Sequence, residues 1–434
     1  MADMKKISTD VLVIGGGSAG CFAAISAARI GATVMLVEKN GMLGGTTTCG
    51  AVNFPGLFHA WGKQIIDGPA WESILRCVNR KGAVLPPFPY QSAHHNMQQI
   101  RIDIFTYSCI LDEMCLEAGV GVLFHSMVSR VKETDRGVNV RLAAKGEEIS
   151  ISAKVLIDTT GDADALRLAG CPCQIGENTQ PATLINDLAG YDPDAINEEQ
   201  FRQHVKKCYE SGSLTMEDSQ GRDLYQMVKK KQIHMHIDAP DAHTSQGRSA
   251  LEIRARKTLW RILDCLSHVE GLEGIRAERT GSECGVRETV RIVGEKEITE
   301  EEYLSGRITE DSVCHAFYPI DLHRRLDIKQ AFPENGKVPC VCYGSLVPKG
   351  ARHMLAAGRC LSSDVHANSA LRVQATCMAT GQVVGVAAAL CAKNGYDVYK
   401  LPMDTLKNEL RKLGAIVPGD VCFSLPPEAS NSML

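Results

Sequence analysis

Asp10-Val-Leu-Val-Ile-Gly-Gly-Gly-Ser-Ala-Gly20, continued through an alanine-rich Cys21 to Ile30, Gly31 and Ala32-Thr-Val-Met-Leu-Val-Glu38, is the stretch on which the fold turns. Asp10 to Ile14 is an apolar run of strand length, as expected of a strand buried on both faces of a parallel sheet. Cys21 to Ile30 suits a helix that Gly31 stops, and Ala32 to Val37 reads as a second strand ending at Glu38. The unit is βαβ, with Gly15-x-Gly17-x-x-Gly20 at the first strand-to-helix turn. Gly15 permits the tight turn, Gly17 lets a pyrophosphate approach the backbone, and Gly20 lets the helix pack on the strand. The helix N-terminus, opening at Ser18, attracts phosphate charge, and Glu38, followed by Lys39, can accept hydrogen bonds from an adenosine ribose. The competing explanation is a purely structural glycine turn, against which the full strand–turn–helix–strand context weighs.

Outward from this unit, Gly41-Met-Leu-Gly-Gly-Thr-Thr-Thr-Cys-Gly50 forms a second glycine-rich loop able to run along a long cofactor. A helix is predicted from about Asp103 to Ala118. Val120 to Phe124, Ser126 to Lys132, Val138 to Ala143 and Glu148 to Ser152 alternate like strands of an antiparallel meander. Val155-Leu-Ile157 returns to a short buried strand, closed by Asp158-Thr-Thr-Gly-Asp162. From about Pro181 the texture becomes more charged and richer in histidine, with a helical pattern over Leu251 to Leu266. From about Val338 the first texture resumes, with a strand at Met354 to Ala357 and a small-residue helix over Leu371 to Lys393. The expected fold is α/β: a Rossmann-like cofactor domain of parallel sheet plus antiparallel meander (1–180 and 335–434), with an inserted α+β cap domain (181–334).

At 434 residues the chain has room for two or three such units. Hydrophobic residues at 44% and charged residues at 23% exclude a disordered or fibrous chain. A net charge of −4 provides no footprint for nucleic acid. The 17 scattered cysteines are an odd number, the pattern of reduced thiols in a cytoplasmic protein. No apolar run of membrane-spanning length is expected, and Met1 to Thr9 leads into a strand rather than an apolar leader.

The glycine fingerprint alone does not separate NAD from FAD. The chain as a whole resembles the bacterial FAD-dependent oxidoreductases of the glutathione-reductase superfamily, related to the flavoprotein subunits of succinate dehydrogenase and fumarate reductase. The resemblance rests on Asp10 to Gly20, the Gly44-Gly45-Thr46 loop, Glu117-Ala-Gly-Val120, Val155 to Asp162 and Gln180-Pro-Ala-Thr183. It continues through Tyr318-Pro-Ile-Asp-Leu-His323, Leu346 to Gly350, Ala357-Gly-Arg-Cys360 and Leu371-Arg-Val373 to Gln382. It implies FAD as cofactor, with the flavin ring between the FAD fold and the cap. Cofactor contacts are then expected from Gly44, Gly45 and Thr46, from Thr160 and Gly161, from Gly358 and Arg359, and from Arg372 and Val373. Arg372 and the start of its helix would stabilise the N1/C2=O anion of a reduced flavin; the alternative is a surface arginine opening a helix. No histidine occupies Gly44 to Gly50, where the fumarate-reductase relatives carry their covalent attachment, so tight but non-covalent binding is expected.

Cys284-Gly-Val-Arg287-Glu-Thr-Val-Arg291-Ile-Val-Gly294 is similar to the family pattern G-x-R-x-x-x-R. A spacing of four puts Arg287 and Arg291 on one side of a strand or helix, where two guanidinium forks suit a carboxylate or the FAD phosphates. Salt bridges across the domain junction are the alternative. His323 is the preferred proton donor or acceptor, because imidazole titrates near neutral pH; a core histidine held by a backbone carbonyl competes. Two departures stand out: His366 lies one residue later than the family's histidine, and Val341-Cys342-Tyr343-Gly344 replaces I-P-Y-R, keeping only Tyr343 as a second proton-handling candidate. His234-x-His236-x-Asp238 could line a strand face as a metal site, but a polar cap surface explains it as well. Cys49 lacks a CxxxxC partner for dithiol chemistry.

The expected activity is hydride transfer between flavin N5 and a small polar substrate bearing a carboxylate. Its partners are that substrate and an unidentified electron donor or acceptor, with a homo-oligomer left open. A nicotinamide-dependent Rossmann dehydrogenase and a non-catalytic flavin-binding electron-transfer subunit are the rival classes.

Overall fold

The computed structural model describes residues 5–87, 98–176, 179–220, 222–323, 328–334 and 336–423; Met1 to Met4 of the amino-terminal reading lie outside them. The central strand is Lys5–Ile14, whose apolar end, Val11 to Ile14, is buried. It pairs in parallel with Val34–Val37 on one side and, along almost its whole length, with Glu147–Asp158 on the other.

Gly121–Leu123 adds outside Val34–Val37, again in parallel. This corrects the expectation that Val120 to Phe124 opens the meander: the helix Ile104–Glu117 brings the chain back so that this short strand enters the sheet in the parallel sense. Glu148 to Ser152 and Val155 to Ile157 are likewise one strand, since nothing between them breaks the β pattern. Its first half carries Gly137–Ala144 antiparallel, followed by Met127–Thr134, while its last three residues pair in parallel with Met354–Ala356. The strand therefore forks, feeding a meander at one end and the cofactor-side sheet at the other.

The predicted helix over Leu371 to Lys393 is two helices, Val365–Leu371 and Gln374–Asn394, separated where Val373 turns extended (φ −68°, ψ 150°). The second packs against Ser18–Arg29 at backbone distance: a Cβ on Gly381 would lie 2.1 Å from the Ala19 carbonyl oxygen, and one on Gly385 2.2 Å from that of Ala23. Gln374–Asn394 is long and apolar enough to cross a membrane, with a mean hydropathy of 1.6 over its best window. That corrects the expectation that no such run exists, and here the apolar window is wholly buried in the protein core.

A second core belongs to the insert. Gln232–Ile237, Ala182–Ala189 and Arg276–Thr280 form a three-stranded antiparallel sheet. Leu184, Phe201, Val228, Ile233 and Ile262 pack together from the sheet and from the helices Glu198–Ser211, Leu224–Lys229 and Ser245–Leu266. Ile298, Tyr303, Val313, Ile320 and Val341 join the first core instead. The apolar packing of the second cluster thus runs as far as Val286. Cys208 and Cys265 form a disulfide between the two insert helices, where reduced thiols were expected throughout.

Candidate functional site

Between the two cores lies a cavity of about 1290 Å³, larger than the usual range for a small ligand alone. Its floor is the first glycine loop. Gly15 has φ +102°, and a Cβ there would sit 2.6 Å from the Thr159 carbonyl oxygen. Gly17 faces open space, its nearest neighbour being Gly45 Cα at 3.8 Å. Gly17 also caps the Ser18–Arg29 helix without a side-chain hydrogen bond. The helix's first N–H groups are thus available to an anion, and no Cβ blocks its approach. Gly20 does not face the cavity: a Cβ there would strike the Gly15 carbonyl, so it serves the helix–strand contact.

The second loop crosses the first. Gly44 N donates to Gly16 O at 2.8 Å, and Gly45 stacks its backbone on Gly17. Gly45 and Thr46 face the cavity, whereas Gly44 is behind, against Thr48. Glu38 is 4% exposed, and its oxygens accept from Gly16 N at 2.6 Å and Asn40 N at 2.8 Å. Burial raises its carboxyl above the usual range, which the two amides partly oppose. Lys39, also in the wall, pairs with Glu283 of the insert at 2.8 Å. Thr160, Gly161, Gly358 and Arg359 form the opposite wall. There Asp162 accepts from Arg359 at 3.0 Å and Arg248 at 2.8 Å, leaving Arg359 Nη1 buried without a partner among the described residues. Burial would raise Asp162, but these guanidinium groups outweigh it and hold the carboxyl low.

The remaining end of the cavity is polar and cationic. His323 Nε2 lies 2.8 Å from Asp321 Oδ2, and His323 Nδ1 is buried with no hydrogen-bond partner among the described residues. Because the carboxylate only accepts, Nε2 carries the proton and Nδ1 holds the free lone pair. Burial lowers His323; the Asp321 hydrogen bond opposes this, and the Arg287 and Arg372 charges reinforce it. Burial would raise Asp321, yet its bonds from His323 and Gln330 and the Arg372 charge hold it below the ordinary range. His236 stands edge-on to His323 with ring centroids 4.9 Å apart, and its Nε2 accepts from Arg222 at 2.6 Å and Arg287 at 3.0 Å. Burial first, then the Arg287 and Arg222 charges, keep His236 neutral. Arg372 donates to the Asp321 carbonyl at 3.0 Å and to Gln180 Oε1 at 3.1 Å.

Arg287, His323, Arg372 and Val373 therefore meet at one cavity end. Two expected residues do not. Arg291 is 4% exposed and paired with Glu288 at 2.8 Å, outside the cavity wall. The segment before Val290–Ile292 is irregular, so a spacing of four carries no common face there. Tyr343 is buried in the first core, its hydroxyl donating to the Val398 carbonyl at 2.9 Å, and does not line the cavity. Tyr318 is the tyrosine in the wall, and burial pushes it up to about 12. Arg222, Asp321 and Arg248 were not expected as site residues, and His236 was read only as part of a possible metal face or a polar cap surface. Asp321 had a signal, lying two residues before His323 on one strand face; Arg222 had none.

Residues 10–410 match the sequence family described as FAD dependent oxidoreductase. Digeranylgeranylglycerophospholipid reductase 2 of Methanosphaera stadtmanae is 26% identical over 193 residues, covering 42% of this chain and 47% of the relative. The match thus spans about half the length of that curated relative. Among solved structures, a geranylgeranyl bacteriochlorophyll reductase-like protein of Thermoplasma acidophilum is similar over 98% of this chain and 95% of its own, at 13% identity and TM-score 0.45. The p-nitrophenol 4-monooxygenase PnpA of Pseudomonas putida is similar over 94% and 84%, at 12% identity and TM-score 0.45.

Proposed function

The chain belongs to the FAD dependent oxidoreductase family, and from that premise we propose that it is an enzyme acting on a small anionic substrate, its carboxylate held at the Arg222, Arg287 and Arg372 end of the cavity. Family membership sets aside the purely nicotinamide-dependent alternative. The uncapped Gly17 turn and the partnerless Arg359 Nη1 suit the phosphates of FAD, and Glu38 suits its ribose. When bound, FAD supplies a flavin N5 able to exchange a hydride with a substrate carbon. His323, oriented by Asp321, would take or return the accompanying proton at Nδ1. A second electron donor or acceptor completes turnover. Kinship with the succinate dehydrogenase and fumarate reductase flavoprotein subunits is part of this reading, through Tyr318 to His323 and Leu371 to Val373.

One observation carries the substrate class. Arg222, Arg287 and Arg372 line the cavity, and no carboxylate pairs with any of them among the described residues. Burial disfavours all three charges, most clearly at Arg287. Guanidinium does not deprotonate in proteins, so the unfavourable charge calls for an anion. Titrating the flavin spectrum of the holoprotein with small carboxylates and their amides tests this. Carboxylates should perturb the spectrum and amides should not. Arg287→Met should weaken carboxylate binding about 10- to 100-fold, the equivalent of one charged hydrogen bond. Equal binding of acids and amides overturns the proposal.

A further inference from the structure

The insert holds a second cluster of chemistry-bearing side chains, none of which lines the cavity. The helix Glu198–Ser211 carries His204 and Cys208, four residues apart on one helical face. At the end of Ser245–Leu266, Cys265 is followed three residues later by His268. Both sulfurs and one ring nitrogen of His204 lie within 4.8 Å of one another. The His204 and His268 rings lie nearly parallel, with centroids 6.4 Å apart.

The Cys208–Cys265 disulfide accounts for the sulfurs but not for the two imidazoles beside them. Their hydrogen bonds are informative. His204 Nε2 donates to the Cys265 carbonyl at 2.9 Å, and His268 Nδ1 donates to the Asp264 carbonyl at 2.8 Å. A carbonyl only accepts, so each ring is fixed in the tautomer whose other nitrogen bears a free lone pair. This is the outer-shell arrangement that orients a metal-ligating histidine. Two thiolates bound at about 2.3 Å in a tetrahedron stand about 3.8 Å apart, so reduction must let the two sulfurs part for zinc to enter.

We propose that His204, Cys208 and Cys265, joined by His268 turning in from the end of the second helix, form a structural Cys2His2 zinc site when the disulfide is reduced. Two thiolates and two imidazoles select zinc over hard cations, and the H-x3-C and C-x2-H spacings bring one ligand pair from each helix. A dithiol or phosphine reductant supplies two electrons, each sulfur gaining one electron and one proton while the reductant is oxidised. Zinc then displaces the two thiol protons. The insert helices would thereby stay stapled in either redox state, by sulfur–sulfur or sulfur–zinc bonds.

The test uses the full-length holoprotein, reduced anaerobically with excess phosphine, incubated with zinc and desalted. Elemental analysis should find one zinc per chain in reduced protein and none in oxidised protein. Cobalt in place of zinc should give thiolate charge-transfer and tetrahedral d–d bands, the latter to the red of the flavin absorption. His204→Ala and His268→Ala keep both cysteines and should each lower zinc affinity at least about 10-fold, consistent with loss of a metal ligand. Retention of zinc in Cys208→Ser/Cys265→Ser would overturn the proposal. So would zinc-free protein whose two thiols alkylate, or a pair that stays oxidised in the folded chain under excess phosphine. Flavin content serves as the folding control, since the cluster lies outside the cofactor cavity.

Discussion

His323 is where burial and charge compete most directly. Burial and two nearby guanidinium groups favour the neutral ring, while Asp321 favours the charged one, and the net effect is a pKa below 6.5. A base that must be neutral to work then remains competent on the acid side of its ordinary titration. The kcat/KM profile should stay flat from neutrality down past pH 6.5 and fall only below it. Asp321→Asn removes the group that favours imidazolium, so the acid limb should move to still lower pH while the rate falls. His323→Gln should lose about 10²- to 10⁴-fold in rate, the usual contribution of general acid–base catalysis. An acid limb centred at or above pH 6.5 would exclude His323 as that base. The place of His323 in the cavity wall was legible in the sequence because it ends an alternating strand in a motif of the resembled family. Arg291 and Arg222 depart from the expectation for different reasons. Arg291 turns to a carboxylate three residues back, a local pairing that the irregular backbone there allows, while Arg222 reaches His236 on the insert's sheet, a contact with no local sequence period.

Among elements, the pair Ser18–Arg29 and Gln374–Asn394 matters most, because it sets the cavity-lining turn at Gly17 against the second cavity-lining helix start at Gln374. In an isolated helix, replacing Gly with Ala gains about 1 kcal/mol. Here a Cβ on Gly385 would lie 2.2 Å from the Ala23 carbonyl oxygen, so the two backbones must separate. Gly385→Ala should therefore destabilise by about 1–3 kcal/mol, the range for an overpacked core, and should also lower flavin occupancy. Denaturant midpoints of holo and stripped protein measure both effects; a stability gain would show that the helices part easily. The βαβ unit, the fork's two segments and the core helix were all readable from apolar runs and glycines. Strand direction at Gly121–Leu123 and the interruption at Val373 were not, since one depends on which neighbour the strand meets and the other on a single extended residue that no glycine or proline announces.

Across the whole molecule, the cavity wall is drawn from both cores. Gly15, Gly17, Glu38, Arg359 and Gln374 face Thr183, Arg222, His236 and Arg248 across the space. Polar contacts bridge the two bodies: Lys39 with Glu283 at 2.8 Å, Arg248 with Asp162 at 2.8 Å, and Arg167 with the His243 carbonyl at 3.1 Å. A partly exposed pair such as Lys39–Glu283 contributes little, typically about 0–1 kcal/mol. A ligand touching both walls contributes more: at about a hundredfold excess over Kd it adds about 2.7 kcal/mol to the folded state. FAD should therefore couple the insert to the first core, and because no covalent attachment is expected, unfolding should free it. Heating the holoprotein should raise flavin fluorescence and erase the far-UV helical signal in one coincident transition. Asp162→Asn leaves Arg248 and Arg359 without their shared carboxylate and weakens the junction, so flavin release should then precede helix loss. Early flavin release in the unaltered protein would mean that the first core holds the cofactor without help from the insert.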